Sequence, residues 1–428
     1  MLIYTENITP RLRYVLSFIF SEHFRITDNL EEFKAEKGGG INYSGNRIEG
    51  KFNIPCSGML AETGIKDVNT GFHKNPSYPI LFPGESADLD FDLFSAVFYM
   101  ISRYEEYLPF NPDQYGRFEA AESLAGKNGL LELPVVDIWI KDLKLKLHKQ
   151  FGGQEPEVGE FRFLPTCDID LPYAYLHRGR ARRAGARIKA GLQGVGDQKL
   201  RKEVLSGKKR DPFDTFSSIE AIHALHNIRP TIFFLTSRYG KHDKSISPRS
   251  KAFKALVKQT MGYADIGIHP SFRASDNPSE LKRELGMLSS ITGEIIHDSR
   301  QHFLKFRLPG SYREFLAAGI QNEYSMGFAS SAGFRAGTSR PFFFYDILNE
   351  EETRLRVVPF QVMDRTLKDY MKLTPEQALQ KIKSIARTIR STGGTFSSIW
   401  HNDAFSDQGE WKGWKDVYLQ MIDSLVAW

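Results

Sequence analysis

From residue 161 onward the sequence alternates apolar runs of strand length with segments of helix length, and this rhythm constrains the fold more than any other feature. The strand-length runs are Phe161–Thr166, Thr231–Leu235, Asp265–Ile268, His302–Phe306, Met326–Ala329, Val357–Val362 and Thr395–Trp400. Between them Asp214–His226, Ser250–Thr260, Ser279–Leu288, Tyr312–Ala318 and Pro375–Ser391 have helical character. Such alternation predicts parallel strands joined by crossover helices. About seven strands suit either an incomplete barrel or a doubly wound sheet, and in both the C-terminal strand ends carry the active residues.

The first of these strands runs into Thr166-Cys167-Asp168-Ile169-Asp170. Side chains two apart on a strand share a face. Asp168 and Asp170 therefore point to one side, and Cys167 points away as a buried thiol. Two carboxylates that close repel each other unless a cation or a proton sits between them. The pair is either a metal-and-base site or an Asx turn ahead of Pro172. Other strand ends carry chemistry that would suit the first reading. His269-Pro270-Ser271 follows Asp265–Ile268, Arg300-Gln301-His302 follows Ile296, and His401-Asn402-Asp403 follows Thr395–Trp400. One histidine at a strand end is ordinarily a packed or surface residue. Several such groups in one β/α domain are brought together by the fold itself.

On these residues the sequence resembles the polysaccharide deacetylases (NodB-homology, carbohydrate esterase family 4), as a divergent branch with an additional N-terminal domain. Thr166-Cys167-Asp168-Ile169-Asp170 is similar to the family's first motif in its Asp-x-Asp form. Gly267-Ile268-His269-Pro270-Ser271 is similar to the second, Arg300-Gln301-His302-Phe303 to the third with its proline replaced, and Ile399-Trp400-His401 to the last. The resemblance covers roughly residues 160–428, and the order of the motifs is its specific part. It implies a distorted (β/α)7 barrel and hydrolysis of an N-acetyl group, with Asp168 as general base. It further implies Asp170 and His269 as ligands of a divalent metal, zinc by family habit, Arg300 orienting Asp168, and His401 as general acid. Two departures matter. The family's second histidine falls at Arg273, so the third ligand is open: His302 is the leading candidate, with Ser271 and Asp265 behind it. The carboxylate that supports the acid histidine is either Asp364 or Asp346. Arg335, in Gly333-Phe334-Arg335-Ala336-Gly337-Thr338, is either a substrate-binding residue at the mouth or an exposed loop residue.

The first 155 residues carry no catalytic constellation. Thr9-Pro10 is suited to cap a helix, and Asn42–Phe52 suits a strand pair around Ser44-Gly45-Asn46. Asp90–Leu108 reads as one helix on Phe91, Phe94, Val97, Phe98, Ile101, Tyr104 and Leu108. Arg103, Glu105 and Glu106 near its end belong to a class of charges that is ordinarily solvated. Val135–Leu147 is a second amphipathic helix. These elements imply a small α+β domain over 1–155, joined by the polar stretch Gly152–Glu160 to a barrel over 156–428.

A basic insertion over about 177–210 interrupts the barrel, with Arg178, Arg180, Arg182, Arg183, Arg187, Lys189, Lys199, Arg201, Lys202, Lys208, Lys209 and Arg210. It is either a solvated helical excursion or a surface for an anionic partner, such as a membrane or a lipid-linked ligand. It lacks interleaved aromatics, which argues against single-stranded nucleic acid, and the overall charge of +5 over 428 residues is small. The apolar run Tyr14–Phe20 is too short to span a bilayer, and Ser21-Glu22-His23 behind it is no cleavage site. With Cys56 and Cys167 as the two cysteines, a cytoplasmic, reducing setting is expected. Three functions compete at this level: a metal-dependent deacetylase of an amino sugar or glycan, a degenerate relative that binds a glycan or sugar-containing ligand, and a different metal hydrolase acting on a non-sugar C–N bond.

Overall fold

The computed structural model describes residues 1–74, 78–85, 88–152, 159–178 and 198–427. The chain opens with β1 (Leu2–Thr5), β2 (Arg25–Thr27), β3 (Gly40–Tyr43) and β4 (Phe52–Asn53), a sheet ordered β2-β1-β3-β4. All its pairings are parallel. β3 and β4 thus lie side by side, Ile41 opposite Phe52, and do not fold back around Ser44-Gly45-Asn46. The Thr9 side chain accepts the Leu12 N–H and Pro10 occupies the first turn, which starts the helix Pro10–Phe20 as its sequence predicts. β5 (His73–Lys74) and β6 (Pro79–Ile80) form a short antiparallel pair.

The helix expected over Asp90–Leu108 ends at Ile101. Arg103 takes a left-handed backbone, φ 56°, and a 3-10 turn follows over Tyr104–Tyr107. The break lets Arg103 reach both Glu105 and Glu106 at 2.8 Å inside the protein. These charges are buried, not solvated.

The remaining strands are β7 (Phe161–Ile169), β8 (Thr231–Phe234), β9 (Asp265–Ile268), β10 (Asp298–Ser299), β11 (Asn322–Glu323), β12 (Phe342–Asp346), β13 (Glu351–Val357), β14 (Val362–Met363) and β15 (Gly394–His401). They form one sheet ordered β12-β13-β11-β10-β9-β8-β7-β15-β14, parallel except between β12 and β13. β13 and β14 are two pieces of one passage that closes the sheet. Val358 N–H donates to the Glu323 carbonyl and Phe360 N–H to Met326 on one side, while Gln361 N–H donates to Ser397 on the other. The result is an irregular parallel β/α barrel of seven strand positions, with β12 as an outer antiparallel strand.

Of the apolar runs read as strands, Val357–Val362 is only the join between β13 and β14, and two more are not strands. His302–Leu304 is a 3-10 turn, because β10 has already ended at Ser299 and Phe303 and Leu304 take left-handed backbone. Met326–Ala329 lies beyond β11. Both runs are apolar because they are buried or packed at the barrel mouth, and burial alone does not fix an extended backbone.

One apolar core runs through both parts of the chain, from Ile3, Leu12 and Val15 through Trp139 to Trp400 and Tyr418. Polar ties cross the same seam: Arg11 pairs with Glu350 at 2.5 Å, and the Tyr14 hydroxyl donates to the Phe343 carbonyl at 2.6 Å. Among the described residues no helix is long and apolar enough to cross a membrane. Of the basic segment 177–210, residues 179–197, with Arg180, Arg182, Arg183, Arg187 and Lys189, lie outside the described residues. The described remainder includes the helix Gln198–Leu205, and Arg210 there pairs with Asp214.

Candidate functional site

The barrel register brings the strand ends to one mouth. Asp168 of β7 lies opposite Phe233 of β8 and His401 of β15. Arg300 directly follows β10, and its side chain is fully buried. Nη1 donates to Asp168 Oδ1 at 3.1 Å and to Thr166 Oγ1 at 2.5 Å, and Nε donates to the Tyr324 carbonyl at 3.1 Å. Thr166 passes its own hydrogen to the Ser398 carbonyl at 2.6 Å. The guanidinium lies 4.7 Å from the centre of the Phe233 ring. Gly267 leaves room for that ring, since a Cβ there would sit 2.4 Å from it. The strand alternation that puts Thr166 and Asp168 on one face therefore gives Arg300 two acceptors at once.

Asp170, His269 and His302 converge beside this pair, with one donor atom from each inside a 4.8 Å span. His269 Nε2 stands 3.1 Å from Asp170 Oδ1, and His302 Nε2 stands 3.4 Å from Asp170 Oδ2. Each imidazole is held from behind. His269 Nδ1 is 2.5 Å from the Arg300 carbonyl, and His302 Nδ1 is 3.0 Å from Asp243 Oδ1. A carbonyl can only accept, so His269 carries a proton on Nδ1, and its neutral form turns an Nε2 lone pair toward Asp170. Asp170 Oδ1 accordingly is buried without a hydrogen-bond donor. Two such atoms 3.1 Å apart are satisfied by a proton or a cation between them, and outer partners of this kind are those that orient metal-bound histidines. The N and O donor set fits a divalent ion such as zinc. Burial opposes ionisation of Asp170, but the neighbouring His302 holds its carboxyl well below the usual range. Burial likewise opposes charge on His302, while Asp170 and Asp243 lift it to about 9.

His401 closes the opposite side. Its Nε2 is 3.8 Å from Asp170 Oδ2. Asp364 grips it twice, through Nδ1 and through the backbone N–H, both at 2.7 Å. Burial disfavours the imidazolium, but Asp364, then Asp170 and Asp168, raise His401 to about 10. Of the two carboxylates weighed for this role, Asp364 fills it. Asp346 instead pairs with Arg313 at 2.6 and 2.9 Å.

The mouth is a cavity of about 390 Å³ lined by Asp168, Asp170, His269, His302 and His401, with Phe303, Leu304, Met363 and Arg365 among the other walls. Arg335 is not among the lining residues. It is 2% exposed, gives Nε and Nη2 to the two oxygens of Glu106 at 2.9 and 2.6 Å, and gives Nη1 to the Gly327 carbonyl. The substrate-binding role read for it is therefore corrected: its guanidinium is consumed by a buried carboxylate from the N-terminal part. Ser271 is engaged with Glu284 through its amide, and Asp265 with Arg229, so neither stands with Asp170. Three participants were not legible. Asp243 lies in the loop after β8, where a carboxylate beyond a strand end was the available signal. Arg117 and Tyr370 also line the cavity, and Arg117 comes from the N-terminal part.

Residues 1–152 match a family of unknown function, DUF7033. No curated protein matches the chain. Among solved structures, the chain is similar to a protein described as a polysaccharide deacetylase from Mycobacterium smegmatis, at 12% identity and a TM-score of 0.43, over 64% of this chain and 87% of that one. It is also similar to a polysaccharide deacetylase from Bacillus cereus, at 12% identity and a TM-score of 0.31, over 61% and 87%. A CE4 family pseudoenzyme from Bacillus anthracis is similar at 10% identity and a TM-score of 0.32, over 63% and 62%.

Proposed function

We propose that the protein is a metal-dependent hydrolase that removes the acetyl group from an N-acetylated amino sugar, alone or within a glycan. Asp170, His269 and His302 would hold the ion, with zinc the best match to the donors. The observation that supports this most is that Asp168 and His401 flank that donor set from two sides, Asp168 Oδ2 at 3.9 Å from His269 Nε2 and His401 Nε2 at 3.8 Å from Asp170 Oδ2. When bound, such an ion supplies Lewis acidity and brings the pKa of a water toward neutrality.

The chain's own groups supply the proton traffic. Asp168, oriented by Arg300, has one oxygen free of that bond to accept the proton of the attacking water. His401, raised to about 10 by Asp364, enters protonated at neutral pH and can give its proton to the departing nitrogen as the C–N bond breaks. The products are acetate and a free amine. A cavity of about 390 Å³ is at the small end of ligand sites, suited to one sugar unit more than to a buried polymer. The binding-only alternative was motivated by the missing second histidine at Arg273, and His302 stands with Asp170 in its place. The basic segment 177–210 would suit a lipid-linked or otherwise anionic substrate, which sedimentation with neutral and anionic vesicles tests. A cytoplasmic setting belongs to the same reading.

Acetate release from N-acetylglucosamine oligomers tests the proposal. Release that chelation removes, zinc restores and Asp168→Asn abolishes is the expected result. Zinc binding without release from any acetylated amino sugar would contradict the deacetylase reading and favour the binding-only one.

A further inference from the structure

His302 reaches the candidate metal centre from a loop, whereas His269 and Asp170 sit directly at strand ends. The two residues after it, Phe303 and Leu304, have φ of 62° and 52°. Side chains with a Cβ rarely adopt this region, and it persists where the surroundings over-determine it. The barrel's own loops contribute, with Phe303 packed on the His242 and Phe272 rings, and a further hold comes from the other part of the chain. Asp113 accepts the amides of Tyr115 and Arg117 at 2.9 and 2.8 Å and Arg117 Nε at 2.7 Å, which shapes a tight turn. From that turn Arg117 Nη1 donates to the Phe303 carbonyl at 2.9 Å. The Tyr115 ring meets the Phe303 ring edge-on, with centroids 5.0 Å apart.

Arg117 lines the cavity and yet is 6% exposed. Its remaining nitrogen faces Asp113 at 2.7 Å and reaches the Tyr370 hydroxyl at 3.4 Å. A guanidinium so engaged has little left to offer a ligand, so its effect on the site passes through the backbone it holds.

We propose that residues 113–117 brace the candidate metal centre. Arg117 is a positioning residue: through the Phe303 carbonyl it fixes the left-handed turn that aims His302 Nε2 at Asp170. The inference rests on the reading of Asp170, His269 and His302 as metal donors. It gives residues 1–152 a part in the chemistry, since a donor delivered by a loop needs an external strut that one delivered by a strand does not.

The test is the Co2+ affinity and visible spectrum of the full chain, measured by competition with a chelating dye, for the parent, Arg117→Gln, Arg117→Lys, His302→Ala and Glu106→Gln, with the melting temperature of each metal-free protein. Arg117→Gln is expected to weaken Co2+ by about 10–100-fold and to alter its ligand-field bands, as loss of an outer partner does. Arg117→Lys keeps the charge without the fork and should lose less. Glu106→Gln lowers the melting temperature through a buried pair that does not line the cavity and should leave Co2+ affinity unchanged, which separates positioning from general destabilisation. If Arg117→Gln, or Arg117→Lys should the former not fold, binds Co2+ within about twofold of the parent, well short of an outer-partner loss, while His302→Ala is weakened, the brace is wrong and the donor assignment stands. If His302→Ala binds as well as the parent, or the parent binds no Co2+, the donor assignment falls and the brace with it.

Discussion

Arg300 and Arg335 are both buried, both packed against aromatic rings, and both paired with a buried carboxylate, yet they serve opposite ends. Arg335 meets both oxygens of Glu106, its remaining nitrogen meets a carbonyl, and Glu106 also receives Arg103. Burial opposes charge on Glu106, but the two guanidinia hold its carboxyl below the usual range. Nothing in that network is left over. Arg300 meets Asp168 through a single nitrogen, and its Nη2 has no hydrogen-bond partner, nor has Asp170 Oδ1. Buried polar groups are ordinarily satisfied. The seam's charges are thus matched to one another, whereas the mouth holds charged groups that are only partly matched.

The comparison breaks first at Asp168. Asp168→Asn should lower acetate release by about 10²–10⁴, the range of a lost general base, with metal content retained. A drop under tenfold would remove the base role and with it the reason for leaving Arg300 incompletely paired. Next comes the seam. Glu106→Gln leaves Arg335 buried without a counter-charge and Arg103 with Glu105 alone, and should cost about 3–5 kcal/mol in urea unfolding. A loss no larger than about 1 kcal/mol, the worth of an exposed pair, would show that saturation there carries little stability.

A neutral saturated group gives a pH test. His223 is buried, with Nδ1 at 2.8 Å from the Ile219 carbonyl and Nε2 at 2.7 Å from the Tyr418 hydroxyl, and burial pushes its pKa down from 6.5 to about 4. The unfolded chain takes up that proton at about 6.5 and the folded chain only near 4, so about 3 kcal/mol of stability present above pH 6.5 is lost as pH falls toward 4. His223→Gln should flatten unfolding free energy across that window, and an unchanged slope would assign it to other groups. The smallest effect is expected at the exposed pair Arg162–Glu160, 71% and 73% accessible at 3.0 Å. Arg162→Ala should change stability by no more than about 1 kcal/mol.

Much of the barrel was legible because strand alternation and helix periodicity act locally. β9 falls on Asp265–Ile268 as read, and the helix read over Pro375–Ser391 runs Pro375–Thr392. The readings that failed depend on partners far away in sequence. Arg335 could not be told from Arg300 by local sequence, because its carboxylate lies 229 positions away. The helix over Asp90–Leu108 broke where Arg103 turned inward to Glu106. His302 reaches the site from a turn, since the strand ends at Ser299, and no local periodicity announces that delivery. Arg117 gave no local signal at all, since its target is the Phe303 backbone carbonyl.

The most direct test is a crystal structure of the zinc-loaded protein with an anomalous difference map at the zinc edge. The account predicts one ion in the mouth, bound by Asp170, His269 Nε2 and His302 Nε2 at about 2.0–2.2 Å. A zinc-saturated protein whose ion lies elsewhere, or whose His302 stays on Asp243 without reaching the ion, would contradict it.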